Sequence, residues 1–229
     1  VVADVNLPAA EELAAKLAAE GLSAIAVHMD VADEQEVEAG FDKMMETYGS
    51  CDLVMSNAGV QIVHPFEEYP FADWRKMAIH ADGAFLVSRA AYRRMKASGK
   101  GGRIVFTGSV QSFVGSKLKE PYNFAKHGVA GLAKAIAREG AEYGIYTYTI
   151  CPSFIKTPLV EADPRAGGFP GHYGGGSGEE HHAAGYRGRG VHHGGGCSQH
   201  AGIPVQGSGR SDGPVPAADP RLGHDVIES

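Results

Sequence analysis

The stretch Arg103-Ile-Val-Phe-Thr107, followed past a turn region by Tyr122 to Tyr143 and then by Tyr146-Thr-Tyr-Thr-Ile-Cys151, decides the fold of this chain. The first and third runs are short and rich in β-branched and aromatic residues, the composition of strands. The middle run spaces its alanines and larger apolar residues at helical period. A strand, a helix and a second strand in that order form a unit whose two strands lie parallel. The same alternation extends toward the N-terminus: Val1–Val5, Ser23–His28 and Asp52–Met55 read as strands. A helix opening at Pro8, Glu34–Tyr48 and Trp74–Met95 read as the helices between them. The expected fold class is therefore α/β, with a doubly wound parallel sheet.

Composition narrows the function classes. A chain of 229 residues with 43% hydrophobic content can build one sizeable core. A net charge of -6, from 21 basic and 27 acidic residues, disfavours nucleic acid and anionic membrane as partners. Small metabolites remain. Cys51, Cys151 and Cys197 are odd in number and far apart, which argues against a disulfide framework and for the cytoplasm.

From about Asp163 the composition changes. The last 67 residues hold 18 of the 32 glycines and 7 of the 11 histidines, but only eight Val, Ile, Leu, Phe or Met. So little apolar surface cannot offset the entropy of ordering the chain. The expected division is an α/β domain over 1–161 and a Gly/His-rich, mostly disordered tail over 162–229. A one-base frame shift near Ala162 accounts for the tail. It lets Gly174–Ser177, Val191–Gln199, Asp212–Pro216 and Pro220–Gly223 encode ordinary protein phrases, and it permits a stop at Val226–Ile227. The competing reading is that His181, His182, His192, His193, Cys197 and His200 bind zinc or nickel, but their spacing matches no closed site, and no metal is expected.

Chemistry concentrates in the first part. Tyr122 and Lys126 stand four residues apart at the start of the predicted helix and project from one face. A lysine ammonium beside a phenol lowers its pKa toward the range of a general acid/base; the plainer alternative is a solvated helix surface. Ser109 follows a strand end, where a parallel sheet presents ligand-contacting groups, and a turn serine is the competing explanation. Asn57-Ala58-Gly59 also follows a strand, and its small residues either admit a ligand or form an ordinary turn. Asp4 ends the first strand, placed to accept hydrogen bonds from a ribose diol or simply to stop the strand.

In order, Asp4, Asp30-Val31, Asn57-Ala58-Gly59, Ser109, Tyr122-Asn-Phe-Ala-Lys126 and Pro152-Ser-Phe-Ile-Lys-Thr157 resemble the short-chain dehydrogenase/reductase family over about residues 1–161. The resemblance implies a Rossmann-type fold and an enzyme that moves hydride between NAD and a small hydroxy or keto substrate. It implies Ser109 holding the substrate oxygen, Tyr122 passing the proton, and Lys126 tuning the tyrosine and holding the nicotinamide ribose. Asp4 then favours NAD over NADP, Asp30 and Val31 border adenine, and Asn57, Ala58, Gly59, Pro152 and Thr157 complete the cofactor site.

Within the family the chain is most similar to D-3-hydroxybutyrate dehydrogenases, through Asn57-Ala-Gly-Val-Gln61, Gly108-Ser-Val-Gln111 and Lys119-Glu-Pro-Tyr122. That resemblance implies Gln61 and Lys119 as grips on a substrate carboxylate, with Gln111 beside them; both grips also read as loop-surface residues. Three positions depart from the pattern: Gln111 stands where histidine is common, His80 where an asparagine of the proton relay is common, and Ser153 where glycine is usual. The resemblance further implies a homo-oligomeric parent, and places a first strand with a Gly-rich phosphate loop ahead of Val1.

Overall fold

In the computed structural model, residues 1–153 and the short strand Gly202–Ile203 are described. Strand β1 (Val2–Asp4) leads into α1 (Leu7–Ala19), which Asn6 caps through its side-chain oxygen on the Ala9 amide. Strand β2 (Ala26–His28) follows, then α2 (Glu34–Tyr48), which the Asp33 carboxylate caps at Gln35 and Glu36. Next come β3 (Leu53–Ser56), α3 (Phe71–Met77), α4 (Ile79–Ser98), β4 (Gly102–Thr107), α5 (Glu120–Gly140) and β5 (Ile145–Ile150). β6 is Gly202–Ile203.

Several boundaries differ from the sequence expectation, among them the strand expected over Ser23–His28, which begins only at Ala26. The single helix anticipated over Trp74–Met95 is two helices meeting at Ala78, whose carbonyl accepts from both Ala81 and Asp82 as the new helix starts. The helix expected at Tyr122 begins at Glu120, because Pro121 fits a first turn that needs no amide donor. Within the tail expected to be mostly disordered, Gly202 and Ile203 form a short strand that pairs antiparallel with Ile150 and Thr149. The other tail expectations, from the domain boundary at 161/162 to the frame shift and the histidine cluster, lie outside the described residues.

The parallel pairing holds, but in two pieces. β1 pairs with β2, and β3, β4, β5 and β6 form a second sheet in that order. Between β1 and β3 runs a crevice of about 310 Å³, lined by Val1, Ala3 and Asp4 on one side and Leu53 to Ala58 on the other. Leu53 and Met55 are more than half exposed along it. Helices bind the two pieces: Arg94 of α4, largely buried, donates to Glu38 at 2.9 Å and Asp42 at 2.5 Å on α2.

The core is built from β4 and β5 against α4 and α5. Ile104, Phe106 and Ile145 pack on Ala90, Ala91, Met95 and Ala133, all inaccessible to solvent. Alanines at the helix contacts let the helix backbones approach the sheet, and Phe106 fills the space they leave. No described helix is long and apolar enough to cross a membrane.

Phe106→Ala is expected to lower unfolding free energy by about 3–5 kcal/mol, as large-to-small core changes do. Asp33→Ala, which removes only a helix cap, should cost about 1 kcal/mol. Urea unfolding with an unchanged m-value measures both, and equal losses would contradict the assignment of the core.

Candidate active site

The site forms where β4 ends and α5 begins. Ser109 sits in extended backbone just past β4, buried, and is joined by a turn that Ser112 closes on both sides: Ser112 Oγ accepts from the Ser109 amide and donates at 2.9 Å to the Lys126 carbonyl. That contact fastens the β4 loop to the first turns of α5, which carry Tyr122 and Lys126. The Val110 amide donates to the Pro152 carbonyl at 2.9 Å, so the loop after β5 is tied to the same turn.

Tyr122 is hydrogen-bonded to Ser109. The Ser109 hydroxyl in turn donates to Gln111 Oε1, and Gln111 Nε2 donates to Ser116 Oγ at 3.0 Å. Both ends of the buried Gln111 amide are thus engaged within the protein. Lys126, also buried, donates from Nζ to the Thr107 carbonyl at 2.6 Å and lies 5.5 Å from the centre of the Tyr122 ring. Thr107 Oγ1 reaches back to Asn57 Oδ1 at 2.9 Å. Thr107 therefore links the Asn57 loop to Lys126, and sequence reasoning assigned it no role. Its one signal was its place as the last residue of a central strand.

The electrostatics differ from the sequence expectation. Burial pushes the Tyr122 phenol above its usual range, and the Ser109 hydrogen bond offsets only part of that rise. Lys126 does not pull it down, because the ammonium is turned onto the Thr107 carbonyl and is itself pushed down to about 8 by burial. Tyr122 is consequently a neutral phenol at pH 7, a state that can donate a proton to a carbonyl oxygen.

The expected cofactor residues divide. Asp4, Val31, Asn57 and Ala58 all line the crevice between the two sheets. Asp4 is exposed and uses one carboxylate oxygen on the Asn6 amide, which leaves acceptor capacity for a diol. Asp30 instead organises the turn between β2 and α2, accepting from the Ala32 amide at 2.9 Å through its side chain. Gly59 lies under the ring of His80. Thr157 is outside the described residues.

On the substrate side, Gln61 Nε2 is buried and has no hydrogen-bond partner among the described residues. Lys119 is nearly buried at the N-cap of α5, just after Leu118, the one described non-glycine residue with left-handed backbone (φ 65°).

These features can now be set beside known proteins. The sequence model of the short chain dehydrogenase family matches residues 1–166, and the chain belongs to that family. An uncharacterized oxidoreductase of Bacillus subtilis is 37% identical over 161 residues, covering 70% of this chain and 62% of its own length. A D-beta-hydroxybutyrate dehydrogenase of Rhizobium meliloti is 37% identical over 133 residues, covering 58% of this chain and 51% of that protein. A solved gluconate 5-dehydrogenase from Burkholderia cenocepacia, in complex with NADP and tartrate, superposes with a TM-score of 0.68 at 31% identity, covering 72% of this chain and 66% of that one. The chain thus spans about half to three-fifths of the length of those two sequence relatives.

Burial of Lys126 makes stability depend on pH. Its folded pKa of about 8 lies below the usual 10.5, so the stability it permits is complete above pH 10.5 and is lost as pH falls through 8. Lys126→Met should be more stable than the parent chain at pH 7 by up to about 3 kcal/mol, less the lost Thr107 hydrogen bond, with the difference shrinking toward pH 10.5. Urea unfolding of both proteins at pH 7 and 10.5 checks this, and a pH-independent difference would contradict it.

Proposed function

We propose that the chain is the catalytic part of an NAD-dependent oxidoreductase acting on a small 3-hydroxy acid, with D-3-hydroxybutyrate and acetoacetate the best-matched pair. One observation carries the reading. Ser109, at the end of β4, and Tyr122 and Lys126, on the first turns of α5, meet with a hydrogen bond between Ser109 and Tyr122 and the ammonium beside the tyrosine ring.

The ends of β1 and β3 fit the cofactor, since Asp4, Val31, Asn57 and Ala58 line one crevice. Asp4 would hold the adenosine ribose diol, which a 2′-phosphate would replace with repelling charge. Asn57 and Lys126 would hold the nicotinamide ribose. NAD, when bound, supplies the hydride acceptor or donor. Ser109 orients the substrate oxygen and Tyr122 donates to it or takes from it the proton. Lys126 keeps a positive charge beside that exchange.

A carboxylate on the substrate is supported by the buried Gln61 Nε2, which has no hydrogen-bond partner among the described residues, and by the buried Lys119 side chain. A second reading, a neutral alcohol or sugar substrate, is favoured by Gln111, whose amide is engaged by Ser109 and Ser116. We read residues 1–161 as the dehydrogenase domain of a cytoplasmic homo-oligomer. The exposed Phe85, beside a groove of about 350 Å³ between α4 and α5, supports self-association.

Tyr122→Phe should lower the rate of NADH formation from D-3-hydroxybutyrate by about 10²–10⁴-fold, the usual share of general acid/base catalysis. Retained turnover would overturn its role. Gln61→Ala and Lys119→Ala should raise KM for the hydroxy acid by about 10–100-fold while leaving a neutral secondary alcohol nearly unaffected. Equal effects on the two substrates would favour the second reading.

A further inference from the structure

The segment ahead of α3 is closed on itself and then pinned to α3. The Tyr69 hydroxyl donates to the Ile62 carbonyl at 2.9 Å, and Val63, between them in sequence, is buried. His64 packs edge-to-face on the Tyr69 ring, with centroids 4.9 Å apart and planes at 79°. Its Nε2 lies 2.9 Å from Asp73 Oδ2, in the first turn of α3. The other carboxylate oxygen of Asp73 accepts from Lys76 Nζ at 2.7 Å. His64 and Asp73 keep 28% and 20% of their side-chain surface, so the contact is shielded yet still within reach of solvent protons. The titratable groups joined to His64, directly or through one neighbour, are Asp73 and Lys76 of α3, Tyr69, and Glu120 of α5. Asp73 stays ionised, held below the usual carboxylate range first by Lys76 and then by His64. Tyr69 stays neutral, because burial and the charges of Asp73 and Glu120 push its phenol up. An imidazole is the side chain in such a set whose charge ordinarily changes near neutral pH.

We propose that His64 and Asp73 form a proton-operated latch on segment 62–69. With the imidazole charged, an ion pair holds the segment shut on α3; with it neutral, an ordinary hydrogen bond remains. A charged donor bonds a carboxylate about twice as strongly as a neutral one. Closing is therefore favoured as pH falls through the histidine range and weakens as pH rises out of it. The sense is opposite to that of Lys126, whose burial lowers the stability of the whole chain as pH falls. Ile62, the fixed end of the closed segment, directly follows Gln61, so the state of the latch reaches the residue with the buried Nε2. The latch belongs to the chain without substrate or cofactor and stands apart from the proposed function.

The test is cleavage after Phe66 by chymotrypsin in the full chain, with no substrate or cofactor present, followed by mass spectrometry at pH 6 and pH 8. Each rate is divided by that of the free peptide of residues 60–72 at the same pH, which removes the pH dependence of the protease itself. The resulting ratio tracks how often the segment opens. It should be about two- to fivefold lower at pH 6 than at pH 8, the worth of a partly exposed ion pair. Global unfolding through Lys126 would move it the other way. In His64→Gln, which keeps a donor but takes up no charge, the ratio should be the same at both pH values, and likewise in Asp73→Asn. Should His64→Gln fail to fold, His64→Phe, which keeps the ring contact with Tyr69, replaces it. Tyr122→Phe should retain the full pH difference, so failure of the latch is distinguishable from failure of the turnover test. Equal ratios at the two pH values in the parent chain, or a pH difference that survives in the His64 variants, would overturn the proposal.

Discussion

The site depends on an ammonium group taken out of water. Lys126 is buried where the first turns of α5 meet the end of β4, and its hydrogen bond to the Thr107 carbonyl fixes helix to strand at that point. A buried charge without a partner costs several kcal/mol, so the backbone carbonyl at the strand end is a requirement of the packing. From that contact the rest follows in both directions. Thr107 passes the constraint through its hydroxyl to Asn57, and Ser112 returns it through the Lys126 carbonyl to the Ser109 turn. Tyr122, one helical turn earlier, is held between them.

The dryness that holds this arrangement also sets its chemistry. It keeps Tyr122 protonated and holds Lys126 low in its range, so the pair differs from an exposed tyrosine and lysine at the same spacing. Desolvation disfavours whichever form is charged, and here it acts on both groups at once. The Ser109 hydroxyl is shared between Gln111 and Tyr122, so the serine turn is tied to both.

Much of the fold was legible in the sequence because its elements carry strong local signals. The Glu34–Tyr48 helix has an Asp33 cap, acidic residues in its first turn and Gly49 at its end, and its limits match the sequence reading. β4 and β5 are short, rich in β-branched and aromatic residues, and preceded by Gly101 and Gly144. The break at Ala78 was not legible, since neither glycine nor proline marks it. The residues gathered at the end of β4 could be named from spacing and resemblance, yet the sense of the Tyr122 shift could not, because burial is a property of the assembled site. Thr107 and Ser112 lay hidden for a similar reason: their hydrogen bonds reach carbonyl groups and partners 14 to 50 residues away.

The turn after β4 carries a consequence for how the molecule comes apart. Ser112 joins the Ser109 amide to the Lys126 carbonyl, and the Lys126 ammonium joins α5 back to the last carbonyl of β4. Opening such a closed set of links breaks several hydrogen bonds at once, so it proceeds as a unit. Amides of the Ser109 turn and of the first turns of α5 therefore exchange with solvent together, at a common rate.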